Sequence, residues 1–194
     1  RERGISYGPT VRLNTINDAV CGGASSQGTG ATLYGGLLGI EIEFTKEQVY
    51  FDSTIGELYA GVYKYVHLRD ANRHGRRGHV AFWSDSETSE VSPWSQDGNH
   101  AGVFLCDVDP NHYCWIQVGG LASVAFGNPT TKATPAIKDV VVVESGDVHG
   151  DVEDDATPYT NLIYKRILGI AEEAPVPGTI TLVELLDRFS TPDK

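Results

Sequence analysis

The residue types best suited to chemistry sit together at Gly146-Asp147-Val148-His149-Gly150-Asp151, just beyond the apolar run 140–143. An Asp and a His two positions apart, each beside a glycine, are residue types able to ligate a divalent metal. Gly98-Asn99-His100 stands earlier in the chain. The plainer reading of the same stretch is a solvated acidic turn, able to hold an adventitious Ca²⁺ through Asp147, Asp151, Glu153, Asp154 and Asp155. Residues 21–39, CGGASSQGTGATLYGGLLG, are rich in glycine. They lack the lysine followed by Ser/Thr that holds β/γ-phosphates in a Walker loop, and no buried strand leads into them, so they read as a tightly turned loop. Neither G-x-S-x-G nor H-E-x-x-H occurs.

The segment 146–151 resembles the GDxHG motif of metallophosphoesterases, but the rest of that pattern does not follow. In that family the GNH element comes after GDxHG, whereas here it comes before, and the intervening GDxxDRG element is missing. Too little chain remains after Gly150 for the βα units that would supply the other ligands. No catalytic residue, metal or cofactor is therefore assigned, and the expectation is that the chain is not an enzyme.

Positive charge is concentrated elsewhere. Residues 69–79, RDANRHGRRGH, carry Arg69, Arg73, Arg76 and Arg77 with His74 and His79, and His67 stands just before them. A metal site would want carboxylate or thiolate company on a fixed scaffold, and the glycines here predict a mobile loop. That loop is either simply solvated or docks on an acidic partner. Residues 1–13 carry Arg1, Arg3 and Arg12, with Gly4, Gly8 and Pro9 blocking helix, and predict an extended arm. The arm is either frayed or laid on an acidic neighbour, such as the acidic half of an adjacent copy. Interfaces that bear force bury aromatics and arginines. The candidate interface residues are accordingly Arg1, Arg3, Arg12, Arg73, Arg76, Arg77 and Trp94, the last an apolar anchor in the polar loop 84–100. Trp83 and Trp115 fall within strands and are assigned to the core.

The elements that must position these residues are strands. With 194 residues, 22 glycines, 9 prolines and few long stripes of helical period, the chain predicts short strands joined by tight turns around a self-sufficient core. The fold class expected is mainly β, an antiparallel barrel or sandwich with long loops and an extended N-terminal arm. Residues 1–30 form the arm and glycine-rich loop, and residues 31–194 the mainly-β domain. At its centre a hairpin is expected, with runs 103–108 and 113–118 parted by Asp109-Pro110-Asn111-His112, whose Pro and Asx residues favour a turn. Both faces of that hairpin are largely apolar. In Leu58–Leu68, Tyr59, Tyr63, Tyr65 and His67 line one face, a row that reads as cross-strand packing before it reads as a binding platform. Gly119-Gly120 predict a bulge or bend, 136–144 a buried strand, and residues 166–172 and 179–186 a last hairpin about Pro175-Val176-Pro177-Gly178.

Residues 1–80 carry nine Lys/Arg against eight Asp/Glu, a net +1, while residues 81–194 carry six against eighteen, a net −12. The total of −11 argues against a nucleic-acid partner. The longest apolar run is far short of a bilayer span and the N-terminus lacks the apolar stretch of a signal peptide, so a soluble protein without membrane association is expected. The chain opens on Arg1, as a processed or trimmed form would. Cys21, Cys106 and Cys114 are odd in number and show no C-x-x-C spacing. Buried free thiols in a reducing compartment are expected, with a Cys106–Cys114 disulfide across the hairpin as the alternative.

The segments GVFLCDVDPNHYCWIQVGGLASVAF, LYAGVYKYVHL, HVAFW and RILGIAEEAPVPGTITLVEL together resemble head decoration, or cement, proteins of tailed phages. The likeness spans roughly Leu58 to Leu186 and is greatest at 101–124 and 166–183; the first 57 residues do not match well. It implies a small β protein, a homotrimer, bound to the major capsid protein on the outside of the capsid and assembled in the host cytoplasm, which stiffens the shell. Another virion part, such as a tail or head-fibre component, is the alternative.

Overall fold

The computed structural model describes residues 38–39, 41–44, 50–52, 56–84, 89–94, 100–126, 136–138, 140–143, 152–154, 167–174, 176 and 178–186. Among them are strands and turns and no helix. The strands are β1 (Glu41–Phe44), β2 (Tyr50–Asp52), β3 (Gly56–Leu58), β4 (Gly61–Leu68), β5 (Val80–Trp83), β6 (Glu90–Ser92), β7 (His100–Phe104), β8 (Tyr113–Ala125), β9 (Val140–Val143), β10 (Val152–Asp154), β11 (Ile167–Ala171) and β12 (Ile180–Leu185). The expected mainly-β class is what the chain adopts. The predicted arm, with Arg1, Arg3 and Arg12, the glycine-rich loop before residue 38, Cys21, Asp147 and His149 lie outside the described residues.

Five strands close a barrel in the order β4-β6-β5-β7-β8, with β8 returning to β4. An odd-numbered ring cannot alternate direction all the way round. The exception falls at β4 and β6, which run parallel through His67↔Glu90 and Leu68↔Val91, while the other four pairs are antiparallel. A second sheet, β8-β12-β11-β9-β10, grows from the far half of β8, and β1 flanks β4. β2 and β3 form a separate antiparallel pair.

β8 belongs to both sheets, and its glycines mark the change of partner. Tyr113 to Gly120 pair with β4, and Gly120 to Ala125 pair with β12. At the junction Val62 faces Gly119 while Tyr63 faces Gln117, leaving Val118 as the extra residue of the bulge predicted there. Gly120 has φ 79°. A Cβ on Gly61 would stand 2.2 Å from the Gly119 carbonyl oxygen, so the close approach requires glycine. The buried Gln117 amide completes the turnover, donating from Nε2 to the carbonyls of Gly119 (3.2 Å) and Leu121 (2.7 Å).

The central hairpin forms, with one difference. His112 N–H donates to Asp109 O at 3.2 Å across Pro110 and Asn111, whose φ is 59°, as the turn chemistry predicts. The first strand ends at Phe104, however, and the run 105–108 leaves the ladder, with Val108 bridging Gly75 instead. Apolar character there reflects burial: Leu105, Cys106 and Val108 are all buried. β7 feeds two cores, Phe104 joining Tyr63, Tyr65, Trp115 and Ile116, and Val103 joining Val80, Phe82, Val124, Leu168 and Val183. Burial of each such side chain contributes about 1.5–3 kcal/mol.

The tyrosine row is packing, since Tyr63 and Tyr65 are fully buried. Tyr65 lies 5.1 Å from Trp115 and 6.0 Å from Tyr113, and His67 lies 4.7 Å from Tyr113. Cys106 and Cys114 are free and buried. Trp115 is core as expected, and Trp83 packs half-buried against it. The last hairpin pairs β11 with β12 through Ala171↔Val183 and Gly169↔Leu185. Two three-residue strands depart from the sequence reading. β6 lies inside the supposed polar loop 84–100, and β10 inside the supposed acidic turn 145–158, where it pairs with β9.

Candidate functional site

Of the candidate interface residues, the structure brings Arg73 and Trp94 together. β4 ends at Leu68, and Asp70 then turns the chain: its Oδ1 accepts the backbone N–H groups of Asn72 (2.9 Å) and Arg73 (3.0 Å). The other oxygen of Asp70 accepts from Ser92 Oγ at 3.3 Å, and Ser92 Oγ accepts from the N–H of Trp94 at 3.3 Å. One carboxylate thus fixes both backbones. The Arg73 guanidinium lies over the Trp94 ring, with Cζ 4.7 Å from its centroid.

The second half of the loop is fastened to the β7–β8 connection, so the predicted mobile loop is instead a strap. Gly75 exchanges two backbone hydrogen bonds with Val108, both 2.9 Å. Asp107 Oδ1 accepts the Arg77 N–H at 2.9 Å, and His74 Nδ1 lies 3.0 Å from Asp109 Oδ1. Gly78, at φ 79°, donates to Phe104 O (2.9 Å) and accepts from Ala125 N–H (2.8 Å), tying the barrel to the second sheet. Glycine is needed at Gly75, where a Cβ would meet the Phe104 ring at 2.9 Å.

The charges on this strap are unevenly satisfied. Arg69 pairs with Glu90 at 2.6 Å, and His67 lies 3.8 Å from the same carboxylate. The guanidiniums of Arg73, Arg76 and Arg77 meet no carboxylate among the described residues, and Arg76 is exposed. A guanidinium stacked on an indole keeps its N–H edge available for bidentate contact with a carboxylate. The strap thus fixes the Arg73 guanidinium on Trp94 and the Arg77 backbone on Asp107, and Arg76 reaches solvent. No three His, Cys, Asp or Glu side chains gather as a metal-ligand set among the described residues. The displaced titrations lie in the core: burial pushes the Tyr63 phenol and the Cys114 thiol up, which keeps both neutral.

The residues that sequence reasoning missed are those that hold the strap, namely Asp70, Glu90, Ser92, Asp107 and Asp109. For Asp70 a local signal existed, because Asp followed by polar residues is an Asx-turn former. Nothing local marks Ser92 or Asp107, whose roles arise only when the barrel closes.

Comparison with known proteins gives little. No family model matches the chain, and no curated protein does. Among solved structures the chain is similar to the N base of the head fibre gp8.5 of bacteriophage phi29, with a TM-score of 0.45, 13% identity, and coverage of 64% of this chain and 94% of that one. A likeness of that size carries no functional argument.

Proposed function

We propose that this chain is a structural protein of a phage virion that binds the outer surface of the capsid, against the major capsid protein, and stabilises it as a decoration subunit without catalysing a reaction. The observation that carries the reading is the fastened arginine strap, with Arg73 seated on Trp94 and no carboxylate on Arg73, Arg76 or Arg77 among the described residues. Supporting it, the segments that resemble decoration proteins are β4, β5, β7–β8 and β11–β12, the strands that build the barrel and join it to the second sheet. The resemblance further implies a homotrimer. Net acidity suits a part that sits near packaged nucleic acid without binding it.

Cosedimentation of the purified chain with expanded and unexpanded capsids tests this. The full chain is expected to pellet with capsids, and deletion of residues 1–13 to weaken binding while leaving the melting transition nearly intact. Saturation across the lattice identifies a decoration subunit, and occupancy of only a few sites per particle a head-fibre component. Absence of binding to either particle, or Mn²⁺-dependent phosphodiesterase activity lost in Asp147→Ala, would overturn the reading.

A further inference from the structure

Among the described residues, the outer face of β8 and β12 is largely apolar and partly exposed. Along β12, Ile180, Leu182 and Glu184 alternate with the buried Thr181, Val183 and Leu185. Their partners on β8 are Ala125, Ser123 and Leu121, all half-buried, and Ile170 on β11 stands opposite Glu184. Ile180 is 45% exposed, and Val176 in the neighbouring turn is 59% exposed. Glu184 is exposed and forms no ion pair among the described residues.

The arginine strap ends beside this face, where Gly78 O takes the N–H of Ala125. The backbone of Arg76 and Arg77, just before Gly78, therefore runs near the Ala125–Ile180 end, and Glu184 marks the Leu121 end. The chain has 26 Asp/Glu against 15 Lys/Arg, yet these two guanidiniums have no carboxylate among the described residues. A surface that is basic at one end, apolar in the middle and acidic at the other is complementary to itself about a two-fold axis, a contact additional to the three-fold one of a homotrimer.

We propose that this face is where two copies of the chain meet, with Arg76 and Arg77 of one copy against Glu184 of the other, and Ile180, Leu182 and Leu121 covered between them. The contact forms without any particle present, so it stands or falls separately from capsid binding.

Sedimentation velocity on the purified full chain, across a wide range of protein concentration, tests it. Wild type is expected to exceed a monomer in about 0.1 M salt and to shift toward monomer in about 1 M salt, as the screening length falls from about 10 to about 3 Å. Arg76→Glu with Arg77→Glu, and separately Glu184→Arg, are each expected to weaken association about tenfold or more, and the combined charge swap to recover most of that loss. Ile180→Asp, at an exposed position, is expected to abolish association with its circular dichroism melt unchanged. A wild type that is monomeric throughout, a combined swap no better than either part, or an Ile180→Asp chain that folds and still associates would overturn the proposal.

Discussion

The guanidinium of Arg73 lies over the indole of Trp94, Cζ to centroid 4.7 Å. The pair is assembled from two ends of the barrel wall, the chain leaving β4 and the chain leaving β6, and Asp70 holds both through its two carboxylate oxygens. The parallel pairing of β4 with β6 makes this possible, because it brings the ends of those two strands to the same rim.

If the stack is a working contact, it has a coupling energy. Arg73→Ala and Trp94→Ala, made singly and together, are expected to give a coupling of about 0.5–1 kcal/mol, the range for a half-exposed cation–π pair. Urea unfolding of the four proteins measures it, and strictly additive losses would show that the two side chains are neighbours without attraction.

Much of the frame was legible because it is written in alternation. β4, β8 and the β11–β12 hairpin repeat at period two, and the apolar character of both faces of residues 103–118 placed that hairpin at the centre, where the structure shows β7 and β8 serving two cores. The three-residue strands β6 and β10 were not legible, since Glu90-Val91-Ser92 and Val152-Glu153-Asp154 have no pattern of their own and are strands only because neighbours pair with them. The run 105–108 misled for a related reason: burial and ladder membership share the same apolar signature, and there only burial applies. Arg73 and Trp94 were each marked by residue type, but their adjacency depends on ring closure, which no local spacing encodes.

Three glycines, Gly178 in the β11–β12 turn and Gly61 and Gly120 at the seam between barrel and second sheet, separate two costs of adding a methyl group. Gly178, at φ 77° with nothing within 4 Å of its would-be Cβ, reports backbone strain alone, and Gly178→Ala is expected to cost about 1–2 kcal/mol. Gly61→Ala meets the Gly119 carbonyl at 2.2 Å and is expected to cost about 1–3 kcal/mol through displaced backbone. Gly120, at φ 79° with Ala60 O at 2.5 Å, combines both, so Gly120→Ala should be the worst of the three. Urea midpoints at unchanged m-value give the ranking, and Gly120→Ala costing less than Gly178→Ala would show that the bulge relaxes.

Buried Cys114 and Tyr63 should make the fold sensitive to alkali. Burial raises the Cys114 thiol above its ordinary 9.0 and the Tyr63 phenol above its ordinary 10.0. Above those values the unfolded chain gives up the proton and the folded chain keeps it, so each group's contribution is intact at lower pH and declines as pH rises. The slope is about 1.4 kcal/mol per pH unit for each group. Unfolding free energy is thus expected to fall from about pH 9 as Cys114 ionises in the unfolded chain, and more steeply from about pH 10 as Tyr63 joins it. Cys114→Ala loses packing at every pH but should delay the first decline, and Tyr63→Phe should remove the added steepness. Urea unfolding between about pH 8 and pH 11 reads both effects. An alkaline slope unchanged in Cys114→Ala would mean that the thiol ionises in place, with water reaching a position the barrel wall should keep dry.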